Sequence, residues 1–133
     1  AFDRMAKGQT QFGFDVEWSE DSAGAEILQL ATCQEAILID VPGLSKTAQG
    51  AEALAHTIGT LFADSDMVVV GFGCQQDVSK LRSSPCERNT HWLSGTNAVV
   101  DAQKLVERKE QSKRTLGLSR VCEKYLGKPL DKS

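Results

Sequence analysis

An α/β fold, a mixed sheet flanked by helices, is predicted by three features of the chain. Three strand-like runs crowd into the first forty residues and are joined by short connections, the spacing of an antiparallel meander. Strand and helix patterns then alternate, as parallel strands with helical crossovers require. One of the later strands, Met67–Phe72, is a continuous apolar, β-branched run of the kind covered on both faces. The 133 residues make one domain, large enough to bury about two thirds of its unfolded surface.

Gly13–Trp18 is the first expected strand, Ala25–Cys33 the second and Glu35–Asp40 the third, each alternating apolar with polar or small residues. Val41-Pro42-Gly43 breaks the strand pattern. A helix over Thr47–Ala63 follows, with Leu54, Ile58, Leu61 and Phe62 on one stripe and His56 off it, at the surface. After strand Met67–Phe72 a short helix covers Gln76–Leu81. Arg82–Thr96, with Pro85 and Gly95, reads as an irregular loop in which Trp92 is expected to be buried. Ala98–Asp101 is a last strand, with Asp101 as the cap of a helix over Ala102–Arg108. The basic residues Arg108, Lys109, Lys113 and Arg114 read as a solvated helix end. Thr115 is expected to cap a final helix whose core stripe is Leu118, Val121, Cys122, Tyr125 and Leu126, closed by Gly127 and Pro129.

Composition removes several classes of function. A hydrophobic fraction of 41% and a charged fraction of 25% are ordinary for a globular protein. No apolar run approaches a membrane span, and no signal-peptide pattern opens the chain, so no membrane partner is expected. A net charge of −3 disfavours a non-specific nucleic-acid coat protein. It leaves room for an enzyme whose metal ions neutralise substrate phosphates. The four cysteines (Cys33, Cys74, Cys86, Cys122) are dispersed, and with His56 and His91 they offer no zinc spacing and no cysteine–histidine nucleophile. Cys33, Cys74 and Cys122 are expected to be buried free thiols in an intracellular, reducing compartment.

The first strand carries the chemistry. In Phe12-Gly13-Phe14-Asp15-Val16-Glu17-Trp18, Asp15 and Glu17 fall at i and i+2 and project from the same face, while Val16 points away. Two anions side by side need a cation, and a hard divalent ion such as Mg²⁺ or Mn²⁺ takes oxygen ligands. Asp64-Ser65-Asp66 has the same spacing but lies in a polar connection, where it reads as plain surface charge. A further carboxylate, Asp77, follows Val69-Val70-Gly71-Phe72-Gly73-Cys74. A buried strand there runs through two glycines into a short helix docked by Val78 and Leu81. That places Asp77 near the carboxyl end of a central strand, a favoured edge for functional sites.

Together, Phe14-Asp15-Val16-Glu17-Trp18, Ile27-Leu28-Gln29-Leu30-Ala31 and Ile37-Leu38-Ile39-Asp40 resemble the opening of the ribonuclease D and Werner-type 3′–5′ exonucleases. These belong to the DEDD superfamily, with a ribonuclease-H-like fold. Asp15 and Glu17 match the family's first motif; Asp77 and Leu81 match its second. Thr115-Leu116-Gly117-Leu118 and Tyr125 to Ser133 are similar to the segment ahead of the third motif. The resemblance implies a two-metal site for Mg²⁺ or Mn²⁺ built on Asp15, Glu17, Asp77 and a fourth aspartate. It also implies that Phe14, Val16 and Trp18 shape the floor beside the terminal nucleotide. The expected partner is a nucleic acid, RNA or DNA, with a free 3′ end.

The family's Tyr-x-x-x-Asp lies beyond Ser133, so residues 1–133 are expected to be an exonuclease-like domain without its C-terminal helix or helices, part of a longer protein. Asp131 and Tyr125 are not promoted to the missing roles. A second reading keeps the same fold as an inactive scaffold or nucleic-acid-binding subunit of a larger assembly. Retention of three carboxylates facing one site favours the nuclease.

Overall fold

A computed structural model describes residues 2–84, 92–93, 95–111 and 116–130. The expected cap Thr115, the basic residues Lys113 and Arg114, and Pro85, Cys86, His91 and Asp131 lie outside them.

The element order is α1 (Phe2–Ala6), β1 (Gln11–Glu17), β2 (Ile27–Ala31), β3 (Ala36–Asp40), α2 (Val41–Ser45), α3 (Ala48–Leu54), a π-helical turn (Ala55–Gly59), α4 (Thr60–Ala63), β4 (Val68–Gly71), α5 (Gln75–Arg82), β5 (Val99–Asp101), α6 (Ala102–Glu110) and α7 (Leu118–Leu126). The strands form one sheet in the order β3-β2-β1-β4-β5. β3, β2 and β1 pair antiparallel, whereas β1–β4 and β4–β5 are parallel. The mixed sheet is the one the alternation of elements implies.

Alternation fixes which side of each strand is buried. Phe12, Phe14 and Val16 of β1 share a face with Leu28 and Leu30 of β2, Ile39 of β3 and Val69 of β4, and all are buried. Against them lie Leu54, Ile58, Leu61 and Phe62, the predicted stripe of the long helix. Phe14 and Phe62 meet edge to face with ring centroids 5.2 Å apart. The helix is continuous through its π turn, where the Thr60 N–H reaches back to the Ala55 carbonyl. Gly59 in that turn leaves room for the backbone of Trp92; a Cβ there would sit 2.3 Å from the Trp92 carbonyl oxygen. Trp92 is buried as expected.

The other face of β1 carries Asp15 and Glu17. In register with it lie Ile27, Leu38 and Val68, all exposed, Leu38 by 69%.

Some expectations are corrected. Val41-Pro42-Gly43 does end β3, but it opens a helix. Asp40 caps that helix through a 3.0 Å bond from the Gly43 N–H, and proline is tolerated in the first turn because its missing N–H has no helical acceptor. The helix α1 lacks a long apolar stripe and was not legible. β2 stops at Ala31, so Cys33 falls in the β2–β3 turn and is exposed; Cys122 is half-buried, and only Cys74 of the three expected buried thiols is fully buried. The α7 stripe is not core: no α7 residue is buried, and Tyr125 and Leu126 are exposed. Tyr125 instead donates a 2.7 Å hydrogen bond to Glu110 of α6, beside the Lys124–Glu110 ion pair. His56 is at the surface, 3.5 Å from Glu52 one turn earlier.

Candidate active site

β1 and β4 are hydrogen-bonded only as far as the Gly13–Val70 pair. Beyond it β4 turns away into α5, and the amino-terminal turn of α5 takes the vacated place beside β1. Asp77, the third residue of that helix, thereby reaches β1. The Val16 backbone amide and the Asp15 carboxylate both lie beside its carboxylate. A first-turn aspartate that merely served its own helix would face solvent. Asp77 is only 9% exposed.

Electrostatics follow from this placement. Burial, then the negative charge of Asp15 and the hydrogen bond to it, push the Asp77 carboxyl up to about 6; the Val16 N–H acts in the opposite direction. Among the described residues no lysine, arginine or histidine forms a salt bridge with either carboxylate. Two oxygen-donor side chains held together without a cation, one of them buried, suit a hard divalent ion.

Glu17 extends from the same face of β1 as Asp15, two residues on, and is exposed. It does not close onto the Asp15–Asp77 pair: among the described residues no three His, Cys, Asp or Glu side chains gather closely enough to hold a metal ion. Phe14 and Val16 turn their side chains into the core, and only the Val16 amide faces the carboxylates. Trp18 is half-buried at the end of β1, with the Lys80 ammonium 5.6 Å from its ring centroid. Lys80 lies one turn after Asp77 on α5. Sequence reasoning missed it, because a single lysine at helical spacing from an aspartate carries no signal until β1 is placed alongside.

The remaining acidic and thiol groups stay apart. Asp64 accepts a 2.9 Å bond from the Asp66 N–H and forms a local turn, as its loop setting predicts. Asp101 caps α6 by accepting from the Gln103 N–H at 3.0 Å. Burial and the Asp101 charge raise the Cys74 thiol to about 11, so it is no nucleophile at neutral pH.

A mixed sheet in this order, with helices packed on it, is the ribonuclease-H-like fold. Comparison with known proteins identifies the family. Residues 1–133 match the model of the 3′–5′ exonuclease family, and the chain belongs to that family, within the DEDD superfamily. It is 27% identical over 135 residues to the exonuclease mut-7 of Caenorhabditis elegans, covering 91% of this chain and 15% of mut-7. The fold is shared with the exonuclease domain of Aedes aegypti Nibbler (TM-score 0.73, 23% identity, 99% of this chain and 65% of that one). It is shared too with Trypanosoma brucei RNase D in complex with the RNA U12 (TM-score 0.70, 18% identity, 96% of this chain and 43% of that one). The EXD2 exonuclease domain, soaked in Mn and GMP, is 25% identical, with a TM-score of 0.58 over 97% of this chain and 62% of its own. The chain thus spans about a seventh of the curated relative and less than two thirds of each of these structures.

Proposed function

We propose that this chain is the metal-binding part of a 3′–5′ exonuclease acting on nucleic acid with a free 3′ end, with Asp15, Glu17 and Asp77 as metal ligands. The observation that carries the reading is the buried Asp77 carboxylate held against Asp15 with no cationic partner among the described residues. Family membership supplies the reaction class, and EXD2 crystals soaked in Mn or Mg with nucleotides support Mg²⁺ or Mn²⁺ as the metal.

The residues divide the work. Asp77 is pre-positioned by its burial in the first turn of α5 against β1, so its oxygens need little reorganisation to meet an ion. Asp15 shares that ion from the facing strand, and Glu17 supplies the next oxygens along the same face. When bound, the two divalent ions of the family's mechanism supply Lewis-acid stabilisation of the phosphate undergoing displacement. The half-buried Trp18 ring offers a stacking surface for the terminal base; aromatic stacking tolerates any base. Lys80, held over that ring, brings positive charge for the nucleotide's phosphate to an otherwise acidic site. Phe14 and Val16 support the floor from beneath, through the core. The RNA-bound relative RNase D favours RNA among the substrates to be tried first.

The test is end-resolved hydrolysis by the native protein. With Mg²⁺ or Mn²⁺, 5′-labelled single-stranded RNA or DNA should shorten one nucleotide at a time, and Asp15→Asn or Asp77→Asn should stop the shortening. Internal cuts, or shortening that survives both substitutions, would refute this assignment. Oligonucleotide binding without hydrolysis would instead support the scaffold reading.

A further inference from the structure

We propose that Asp101 is a positioning residue of the carboxylate site, gripping the strand-to-helix turn that aims Asp77. This rests on the nuclease reading only for its catalytic consequence; the grip itself is geometric. Asp101 ends β5 opposite Gly71 of β4. Its Oδ1 accepts from the Gly73 N–H at 2.9 Å as well as from the Gln103 N–H, and its Oδ2 accepts from the Cys74 N–H at 3.2 Å. Cys74 is the residue that precedes α5, and α5 has no side-chain cap of its own. One carboxylate therefore caps α6 and also satisfies the backbone of the turn that launches α5.

The turn is built for that grip. Gly73 has φ +57°, a left-handed conformation that glycine adopts without strain. A Cβ on Gly73 would meet Gln103 Oε1 at 2.8 Å, while Gln103 Nε2 donates to the Leu116 carbonyl at 3.2 Å. A Cβ on Gly71 would lie 2.6 Å from the Cys74 Cβ, so the chain doubles back tightly above the end of β4. Asp77 follows Cys74 by three residues, less than one helical turn. The start of α5 thus fixes where its carboxylate arrives against Val16. With three N–H donors on it, Asp101 is committed to the backbone, which is why it acts through Asp77 and is no metal ligand. Partners hydrogen-bonded directly to metal ligands typically tune affinity about 10- to 100-fold, and Asp101, acting one step further out through the backbone, belongs at the lower end of that range.

Asp101→Ser separates the two roles. Serine still caps α6 through Gln103, but its single short hydroxyl cannot span the Gly73 and Cys74 amides. In the native protein we expect hydrogen exchange of the Gly73, Cys74 and Val16 amides to accelerate at least tenfold. Mn²⁺ affinity should fall about tenfold, and kcat should fall with KM for the oligonucleotide little changed. The melting temperature should drop only slightly. Asp101→Asn keeps the Oδ1 contacts and should recover much of the loss. Unchanged protection of the three amides would overturn the proposal, as would native Mn²⁺ affinity and kcat despite loss of protection. If the unsubstituted protein neither binds Mn²⁺ nor releases nucleotides, the nuclease reading fails. The Val16 amide then decides the positioning claim alone: faster exchange in Asp101→Ser supports it, and unchanged exchange overturns it.

Discussion

Removing one charge from the carboxylate pair should stabilise the metal-free protein while disabling it. In the folded state the Asp77 carboxyl is raised from the ordinary 3.8 to about 6. An acid whose pKa rises on folding favours the folded state when protonated. Its contribution is complete below pH 3.8 and is lost as the pH climbs through 6. The shift corresponds to about 3 kcal/mol in all, of which roughly 1 kcal/mol disappears between pH 5 and pH 7. Asp77→Asn is nearly isosteric: its amide oxygen can accept from the Val16 N–H and its NH₂ can donate to Asp15, replacing repulsion by attraction. The stability of this variant relative to the unsubstituted protein should therefore grow by roughly 1 kcal/mol from pH 5 to pH 7, a few °C in melting temperature for a domain of this size. Urea unfolding with a chelator present, at a series of pH values, measures that difference and cancels other titrations. Saturating Mn²⁺ should reverse the order, because only the intact pair gains binding free energy from the ion. A difference that does not change with pH, or an Asn variant less stable at pH 7 without metal, would refute the electrostatic reasoning.

Other outcomes follow from the same geometry. Glu17→Gln should lower kcat by about 10² or more while leaving folding stability within about 0.5 kcal/mol, since Glu17 is exposed and makes no ion pair among the described residues. Equal activity in a single-turnover assay would remove it from the ligand set. Phe62→Ala should cost about 3–5 kcal/mol in chemical unfolding, because Phe62 is fully buried and packs edge to face on Phe14, directly beneath the Asp15 strand. Gly71→Ala should destabilise by about 1–3 kcal/mol and depress activity further than its stability loss accounts for. The new Cβ would meet Phe14 Cε1 at 2.7 Å and push the start of α5 away from β1. Trp18→Ala should raise KM for single-stranded oligonucleotides about tenfold with kcat little changed, matching the loss of about 1–3 kcal/mol of base stacking.

The sheet was legible because its strands carry short-range signals. Phe14, Val16, Leu28, Leu30 and Val69 alternate or cluster as buried strand positions must, and Leu54, Ile58, Leu61 and Phe62 repeat with helical period. Asp15 and Glu17 were legible as a same-face pair for the same reason. What the pattern could not supply was long-range placement. That Asp77 meets Val16 depends on where β4 parts from β1, and that Asp101 reaches Gly73 depends on β5 pairing with β4; neither is encoded in local spacing. The misreadings have equally local causes. A helical stripe such as Leu118–Leu126 records an apolar face but not what covers it, and Cys33 was placed by hydrophobicity in a strand that ends two residues earlier.

In the proposed site Asp15 and Asp77 bind a divalent cation at the end of β1. Paramagnetic broadening by substoichiometric Mn²⁺ in the amide spectrum of the native protein tests it most directly. Selective loss of the Asp15, Val16, Glu17 and Asp77 amide signals is expected, restored by chelator and absent in Asp77→Asn. Broadening centred elsewhere, or none at millimolar Mn²⁺, would contradict it.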